Sequence, residues 1–505
     1  MFEGFIISRP VYFTEPSSRC GYCSAKKSRD EDYYCLDSWY RNSVVHANNS
    51  EGTLAENCTL GFQAELLSVE MYDRLCNMGY RRSGKFIYKA DMLRNCCRLY
   101  TIRTQPDLVI MSKELKHTLR RFSKRVLPSD KPLHRNPKGG CHYIDEIVET
   151  ETLSKSFRTC FEPSVFTEEK YRLFAKYQEH VHNDFDHSAR SFKRFLCDTP
   201  FSKETVLGTK EEWEQLNNWK GFKQGDRLKR LGPAHECYYF EGNLIAMAVT
   251  DILPSGLSSV YFIWDPEYYK WSLGKLSALR ELSIVSKANL KYYYMGYYLD
   301  DCPKMSYKAK YGGGLLDVST HAYISLDQVT KLKRPGKLFA VEATSKSEAE
   351  KTHSSEFTLN DALLHAPKSI SETAALKNVA EEIYGVAGGA YSEANEAAQA
   401  LASLGIPYAV DELPFHPQTK EPEENEMHNI PNVVPGLVPL KEVLQMIMKD
   451  RISVLEGTVT LYDLLEGEMR RLERFEDESP EIKKILCDVV RLIGLENARG
   501  LLLLL

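Results

Sequence analysis

Three runs of apolar and aromatic residues, 237–240, 244–253 and 257–264, are separated by Glu241-Gly242-Asn243 and Pro254-Ser255-Gly256. Glycine and proline between such runs mark tight turns, so the pattern predicts an antiparallel meander. Beyond Asp265-Pro266, Leu273, Leu276, Leu279 and Leu282 recur at three-residue spacing and predict one face of a helix. Residues 292–299, almost all aromatic or apolar, predict a further strand. Meander, helix and strand in that order describe an α+β domain. Ahead of it, Thr167 precedes Glu168 and Glu169, and Tyr171, Phe174, Tyr177 and Val181 follow at helical spacing, the pattern of a capped helix.

A second amphipathic pattern covers 106–126. Leu115, Leu119, Phe122 and Val126 line one face, and Lys113, Lys116, Arg120 and Lys124 line the other. The Pro-, Lys- and Gly-rich stretch 127–140 reads as the start of a linker. Beyond residue 331 the composition shifts to Ala, Glu and Ser, with helices predicted around 372–384, 392–404 and 439–449. The acidic, Pro-rich stretch 414–435 is expected to be a mobile loop. The leucine run 501–505 is expected to dock on a core or a partner. The chain therefore divides into a small cysteine-rich domain with its basic helix (1–126), a linker (127–160), the α+β domain (161–330) and a mainly helical appendage (331–505).

A net charge of −5 over 505 residues excludes a generally basic nucleic-acid coat, so any nucleic-acid contact is confined to patches. Thirteen cysteines without a secretory signal predict reduced thiols in the cytoplasm, with the nucleus as a second compartment. No run reaches the ~20 apolar residues that cross a bilayer, so no membrane partner is expected. In Cys20-Gly21-Tyr22-Cys23 the glycine lets a loop wrap, and Cys96-Cys97 would complete a four-thiolate site for zinc or an iron–sulfur cluster. Neighbouring cysteines normally point apart, which argues against a closed tetrahedron and keeps the cluster alternative alive. Cys35, Cys58 and Cys76 are expected to be buried apolar thiols. Residues 292–311 hold seven tyrosines and three lysines, a surface suited to an anionic, stacking partner. The competing reading is an aromatic strand followed by a solvated loop.

Taken together and in order, several of these pieces resemble the arginyl-tRNA–protein transferases, which append arginine to proteins beginning with Asp, Glu or oxidised Cys. The amino-terminal pieces are Cys20-Gly21-Tyr22-Cys23, Gly79-Tyr80-Arg81-Arg82-Ser83-Gly84 and Cys96-Cys97. The later ones are Leu257-Ser258-Ser259-Val260-Tyr261, Asp265-Pro266, Ser272-Leu273-Gly274, Tyr294-Met295-Gly296-Tyr297-Tyr298 and Cys302-Pro303-Lys304-Met305-Ser306-Tyr307-Lys308. A eukaryotic, fungal-like member is suggested by the long segment beyond residue 331. The resemblance implies a GNAT-like catalytic domain, the fold these transferases share with acyl-CoA-dependent acetyltransferases. It also implies arginine-charged tRNA and proteins with acidic amino termini as partners, and products that enter N-degron, ubiquitin-dependent degradation.

The chemistry such a resemblance implies can be laid on these residues. An aminoacyl ester is already activated, and the chain has no Gly-x-x-x-x-Gly-Lys-Ser/Thr loop, so no ATP is expected. Coenzyme A is disfavoured because the turn before the predicted helix keeps only Gly274 and has bulky Leu276. The attacking α-amine, with a reference pKa near ~8, needs a proton acceptor. Asp265 is the first candidate, with capping of the next turn as its alternative role. Tyr261, or amides near Gly274, would stabilise the oxyanion, with Ser259 beside them in the substrate site. Lys304 and Lys308, flanking Tyr307, are candidates for holding an acidic side chain, with Arg81 and Arg82 as alternatives; solvated surface lysines are the competing reading. Lys113, Lys116, Arg120 and Lys124 are spaced to follow tRNA phosphates. Glu267 and Asp301 are candidates for receiving the arginyl guanidinium. Two other functions fit: a metal-containing tRNA- or RNA-binding protein with an inactive GNAT-like domain, and an acyl-CoA-dependent N-acetyltransferase.

Overall fold

The computed structural model describes residues 5–15, 18, 20–24, 26–27, 31–46, 57–128, 143–223, 225–343, 359–362, 368–411 and 427–505. In chain order the first elements are β1 (Ile6–Ser8), β2 (Val11–Glu15), α1 (Asp37–His46), β3 (Asn57–Leu66), α2 (Val69–Asn77), β4 (Arg81–Ser83), β5 (Phe86–Ala90), β6 (Tyr100–Thr104) and α3 (Lys113–Val126). The middle of the chain gives α4 (Tyr143–Leu153), β7 (Phe157–Glu162), α5 (Glu168–Tyr177), β8 (Gly232–Phe240), β9 (Asn243–Leu253), β10 (Gly256–Trp264), α6 (Leu273–Lys287), β11 (Tyr292–Tyr298), β12 (Gly314–Leu316) and β13 (Tyr323–Ser325). The last part gives β14 (Val341–Ala343), β15 (Leu376–Asn378), α7 (Gly389–Ser403), α8 (Leu440–Met448), β16 (Thr460–Asp463), β17 (Glu468–Arg471), α9 (Pro480–Ile493) and β18 (Leu502–Leu504). The architecture is mixed α/β. Among the described residues, no helix is long and apolar enough to cross a membrane.

The predicted meander is β8, β9 and β10, and Gly242 turns the first hairpin at φ 87°, a left-handed conformation that favours glycine. These strands belong to an eight-stranded sheet ordered β13-β12-β6-β11-β10-β9-β8-β7. β10 and β11 run parallel, so the chain needs a crossover between them, and α6 supplies it. The Thr167 side chain caps α5 by accepting from the Lys170 amide. Ser112 caps α3 in the same way, so that helix begins at Lys113, and Pro106–Leu108 forms a separate short turn.

A second eight-stranded sheet is ordered β17-β16-β18-β1-β3-β5-β4, with β2 paired to β3. The leucine run thus docks on the core: Leu503 pairs with Ile7 of β1, and Leu501 and Leu503 are fully buried. Each buried leucine contributes about 2 kcal/mol of transfer free energy.

The divisions drawn along the sequence do not coincide with these layers. β6, from the amino-terminal segment, lies between β11 and β12. Residues 143–160, read as part of the linker, form α4 and most of the edge strand β7, while 129–142 lie outside the described residues. The carboxy-terminal segment, read as mainly helical, supplies three strands of the second sheet. Of the acidic stretch, 414–426 lie outside the described residues, but Ile430, Val433 and Val434 are buried in the core.

β11 shows how the layers are held. Tyr293 and Met295 face the core containing α6, and Tyr292 and Tyr294 face the core containing α2. Gly296, at φ 72°, inserts a bulge that keeps Tyr297 on the second side, where its hydroxyl donates to the carbonyls of Gly79 (3.3 Å) and Tyr88 (3.2 Å). One strand therefore binds both halves of the molecule.

Candidate functional site

After β5 the backbone leaves regular structure. The Asp91 carboxylate accepts from the amides of Leu93 (2.9 Å) and Arg94 (3.4 Å), and the Asn95 side chain accepts from the Cys97 amide (3.3 Å). In a strand, Cys96 and Cys97 would point to opposite faces. In this turn both point toward Cys20 and Cys23, whose own turn is closed by the Ser24 amide on the Cys20 carbonyl (3.0 Å). The four Sγ atoms lie within 4.8 Å of one another, with Cys20–Cys97 at 3.9 Å and Cys23–Cys96 at 3.6 Å, and all four are buried. The adjacency that argued against a closed site is therefore accommodated. Sulfur donors at ~2.3 Å from one ion stand about 3.8 Å apart, so the residues fit a metal. Hydrogen bonds from Cys96 and Cys97 hold the Cys20 thiol far below the usual range, while those two thiols are pushed up. The Cys302 thiol donates to the Tyr22 carbonyl (3.8 Å), and Lys27 pairs with Asp301, so this centre is tied to the loop carrying Lys304 and Lys308.

β10 and β11 pair briefly and then part. The two strands are in register only at Gly256↔Tyr292, Leu257↔Tyr293 and Ser258↔Tyr294. Beyond Ser258, β10 stays with β9 through a bulge, and β11 follows β6. Residues 259–262 are consequently half-buried. Parallel strands bind ligands beyond their carboxyl ends, which makes this parting a natural site. Near it, Glu281 of α6, Tyr293 of β11 and Tyr307 of the following turn come together, while Tyr261 of β10 packs with Phe195 and Tyr177 toward α5. Glu281, 1% exposed, accepts from the Tyr293 hydroxyl (2.5 Å) and the Ser277 hydroxyl (3.1 Å), and Ser259 stands beside the pair and favours the ionised form of each. Burial pushes the Glu281 carboxyl up to about 7. The Tyr261 hydroxyl lies 3.4 Å from His182 Nε2, and its ring packs on Phe195 with centroids 4.9 Å apart.

Several predicted residues have other duties. Asp265 pairs with Lys176 (2.8 Å) and accepts from the Glu267 amide (3.0 Å), so it fills its alternative capping role rather than that of a free base. Glu267 shares Lys176, and Asp301 holds Lys27, which leaves neither carboxylate unpaired. Arg82 forms a fully buried bidentate pair with Asp251 at 2.7 Å on both arms, so its charge is already neutralised. A Cβ at Gly274 would meet only Phe262 at 3.9 Å, so no steric demand requires glycine there. Lys304 is exposed on the turn after Cys302, and Tyr307 is half-buried.

Arg81 and Lys308 differ from these. Arg81 is 6% exposed and Lys308 8%, and among the described residues neither forms an ion pair. Nη1 of Arg81 donates to the carbonyls of Cys76 (2.9 Å) and Tyr80 (2.6 Å), but its Nε and Nη2 are buried without a partner. Lys308 Nζ donates to the Tyr297 carbonyl (2.5 Å), and burial together with the Arg81 charge pushes its ammonium down to about 7. Two adjacent buried cations without a carboxylate are costly alone, and an anion would relieve that cost.

Lys113, Lys116, Arg120 and Lys124 are all exposed, opposite buried Leu115, Leu119, Phe122 and Val126. Sequence reasoning missed that this helix is tied to the start of α6 and to the turn after β11. Glu114 bridges Lys275 and Lys310, Arg121 donates to the Ser272 hydroxyl (3.3 Å) and Arg125 to the Lys270 carbonyl (3.3 Å). Sequence reasoning also missed Glu281. Its only signal was Ser277 and Glu281 spaced four apart in a helix otherwise rich in leucine.

Comparison with known proteins now gives these features a family. Family models described as "Arginine-tRNA-protein transferase, N terminus" and "Arginine-tRNA-protein transferase, C terminus" match residues 18–117 and 169–316. The chain is 49% identical over 501 residues to arginyl-tRNA–protein transferase 1 of Saccharomyces cerevisiae, covering 98% of each chain. It is 36% identical over 257 residues to arginyl-tRNA–protein transferase 1 of Drosophila melanogaster, covering 50% of this chain and 46% of that one. It is 28% identical over 249 residues to an aspartate/glutamate leucyltransferase of Stutzerimonas stutzeri, covering 48% and 79%. The matched regions contain the four-cysteine centre, the parted strands and the buried cations, and the chain belongs to the arginyl-tRNA–protein transferase family.

Proposed function

We propose that this protein transfers the arginyl group of arginyl-tRNA to the α-amine of proteins beginning with Asp, Glu or oxidised Cys, committing them to N-degron-dependent degradation in the cytoplasm and nucleus. The observation that carries this reading is the 49% identity to a family member along 98% of the chain. In this reading the sheet around β10, α6 and β11 is a GNAT-like catalytic domain, supported by the crossover helix and the strands parting beyond Ser258. The tRNA lies along Lys113, Lys116, Arg120 and Lys124, from which Lys275 and Lys310 lead toward the parted strands. The acidic side chain of the acceptor meets Lys308 and Arg81, with Lys304 at the entrance and Tyr307 beside the reacting amine. The Tyr261 hydroxyl donates to the oxyanion that develops on the ester carbonyl. The reaction positions two substrates and uses neither ATP nor coenzyme A.

Cys20, Cys23, Cys96 and Cys97 would hold a zinc ion or an iron–sulfur cluster. Either group supplies a charged cross-link between the two turns, and through Tyr22 and Cys302 it fixes the loop bearing Lys308. The acceptor assignment is tested by offering peptides that begin with Asp, Glu, oxidised Cys, Ala or Lys under saturating arginyl-tRNA. Modification of the acidic set alone is expected, and equal modification of all five contradicts it. Elemental analysis with visible absorption separates zinc from an iron–sulfur cluster.

A further inference from the structure

We propose that Glu281 is the proton acceptor of the transfer reaction, reached from the incoming amine through the Ser259 hydroxyl; this rests on the transferase reading above. Its place in the fold is the first support. Glu281 bonds to Tyr293, in the last stretch of register that β10 and β11 share, and Ser259, the first β10 residue beyond that register, is half-buried and stands beside the Glu281–Tyr293 pair.

Its partners are the second. The neighbouring buried carboxylates are paired with cations: Glu236 with Arg280, Glu151 with Arg280 and Lys220, and Asp251 with Arg82. Among the described residues Glu281 pairs with no cation; the hydroxyls of Tyr293 and Ser277 donate to it, and that of Ser259 stands beside them. A carboxyl in a dry site with hydroxyl partners alone is poised between its acid and its carboxylate form. The titratable groups facing it are Glu236 and Tyr238 from β8, Tyr293 from β11, and Tyr307 and Tyr311 from the turn after β11. Burial of Glu281 and the charge of Glu236 hold its titration near neutrality, where an α-ammonium must be deprotonated.

The step balances as follows. The attacking nitrogen loses two protons. The first passes through Ser259 Oγ to the Glu281 carboxylate and on to solvent. The freed amine attacks the ester carbonyl, the C–N bond forms, and the C–O bond to the ribose breaks. The second proton ends on the departing ribose oxygen, leaving a peptide bond and a free hydroxyl on the tRNA.

The test uses the full chain with arginyl-tRNA and an Asp-initiated peptide, comparing Glu281→Gln and Tyr293→Phe with the wild type. Glu281→Gln is expected to lower kcat about 10²- to 10⁴-fold, the usual contribution of a positioned proton acceptor, and to abolish the limb of kcat near pH 7. Its affinity for arginyl-tRNA should be unchanged. Tyr293→Phe removes a hydrogen bond that favours the carboxylate, so the limb should move to higher pH. A Glu281→Gln enzyme within threefold of wild type, or a limb that stays in place in Tyr293→Phe, overturns the assignment. Should Glu281→Gln lose its fold, seen as lost tRNA binding, the position of the limb in Tyr293→Phe decides alone. A wild-type chain that transfers no arginine overturns the transferase reading and this assignment with it, whereas an active wild type with an indifferent Glu281→Gln overturns only the assignment.

Discussion

Lys308 offers a quantitative view of how an acidic side chain is recognised. Its ammonium is held down to about 7 by burial and by the neighbouring Arg81. In the free protein about half of the molecules then carry the charge at pH 7 and about one in eleven at pH 8. A carboxylate that pairs with the ammonium selects the charged form. A lowered lysine pKa means that charge is lost as pH rises, so affinity is complete well below pH 7 and declines above it. KM for an Asp-initiated peptide should rise about fivefold between pH 7 and pH 8, approaching tenfold, or about 1.4 kcal/mol, for each further unit. Lys308→Met removes a charge-assisted hydrogen bond of about 1.5–3 kcal/mol, lowering kcat/KM for that peptide roughly 10- to 150-fold while leaving arginyl-tRNA affinity unchanged. Lys308→Arg keeps its charge throughout and should flatten the KM profile. The assay is the initial rate of transfer against peptide concentration from pH 6 to 9 at saturating arginyl-tRNA. A flat wild-type KM, or the same slope in Lys308→Arg, refutes the reasoning.

Replacing Lys116 and Arg120 by Ala should reduce the slope of log Kd for tRNA against log salt by about 1.4–1.8, and an unchanged slope removes α3 from the interface. Arg280→Met leaves Glu236 buried without its cation and Glu151 with Lys220 alone, which should cost about 3–5 kcal/mol and lower Tm by roughly 3–5 °C. Burial already raises the Glu236 carboxyl, so the penalty is complete above its folded pKa and shrinks as pH falls and the acids become neutral. A loss in calorimetry that is the same at every pH points to packing instead. Cys20→Ser and Cys96→Ser should lower bound metal to a similar degree, and full retention after loss of Cys96 contradicts a four-ligand site.

The elements legible in the sequence were those with long periodicity. The meander, the α6 leucines, the Thr167 cap and the two faces of α3 each repeat over enough residues to fix a period. β16, β17 and β18, of three or four residues, do not, and their place in the amino-terminal sheet depends on pairings hundreds of residues apart in the chain. The same limit hid β6, which lies in one sheet although the strands before it in the chain lie in the other. Within the site, residue type was legible and partnership was not. Arg81 and Arg82 look alike in the chain, yet Asp251 neutralises one and leaves the other with buried, unpaired nitrogens. Asp265 looked like a base because it ends a strand, but Lys176, brought in by α5, claims it. Glu281 was invisible because its meaning comes from what is missing around it, a cation, rather than from any pattern it forms.

The measurement that bears most directly on the account is mass spectrometry of an Asp-initiated peptide after incubation with the purified protein. Arginine-charged tRNA is the donor, and uncharged tRNA with free arginine the control. The account predicts the gain of one arginine at the amino terminus with the charged donor alone. No gain from a protein that binds tRNA and retains its metal would contradict it.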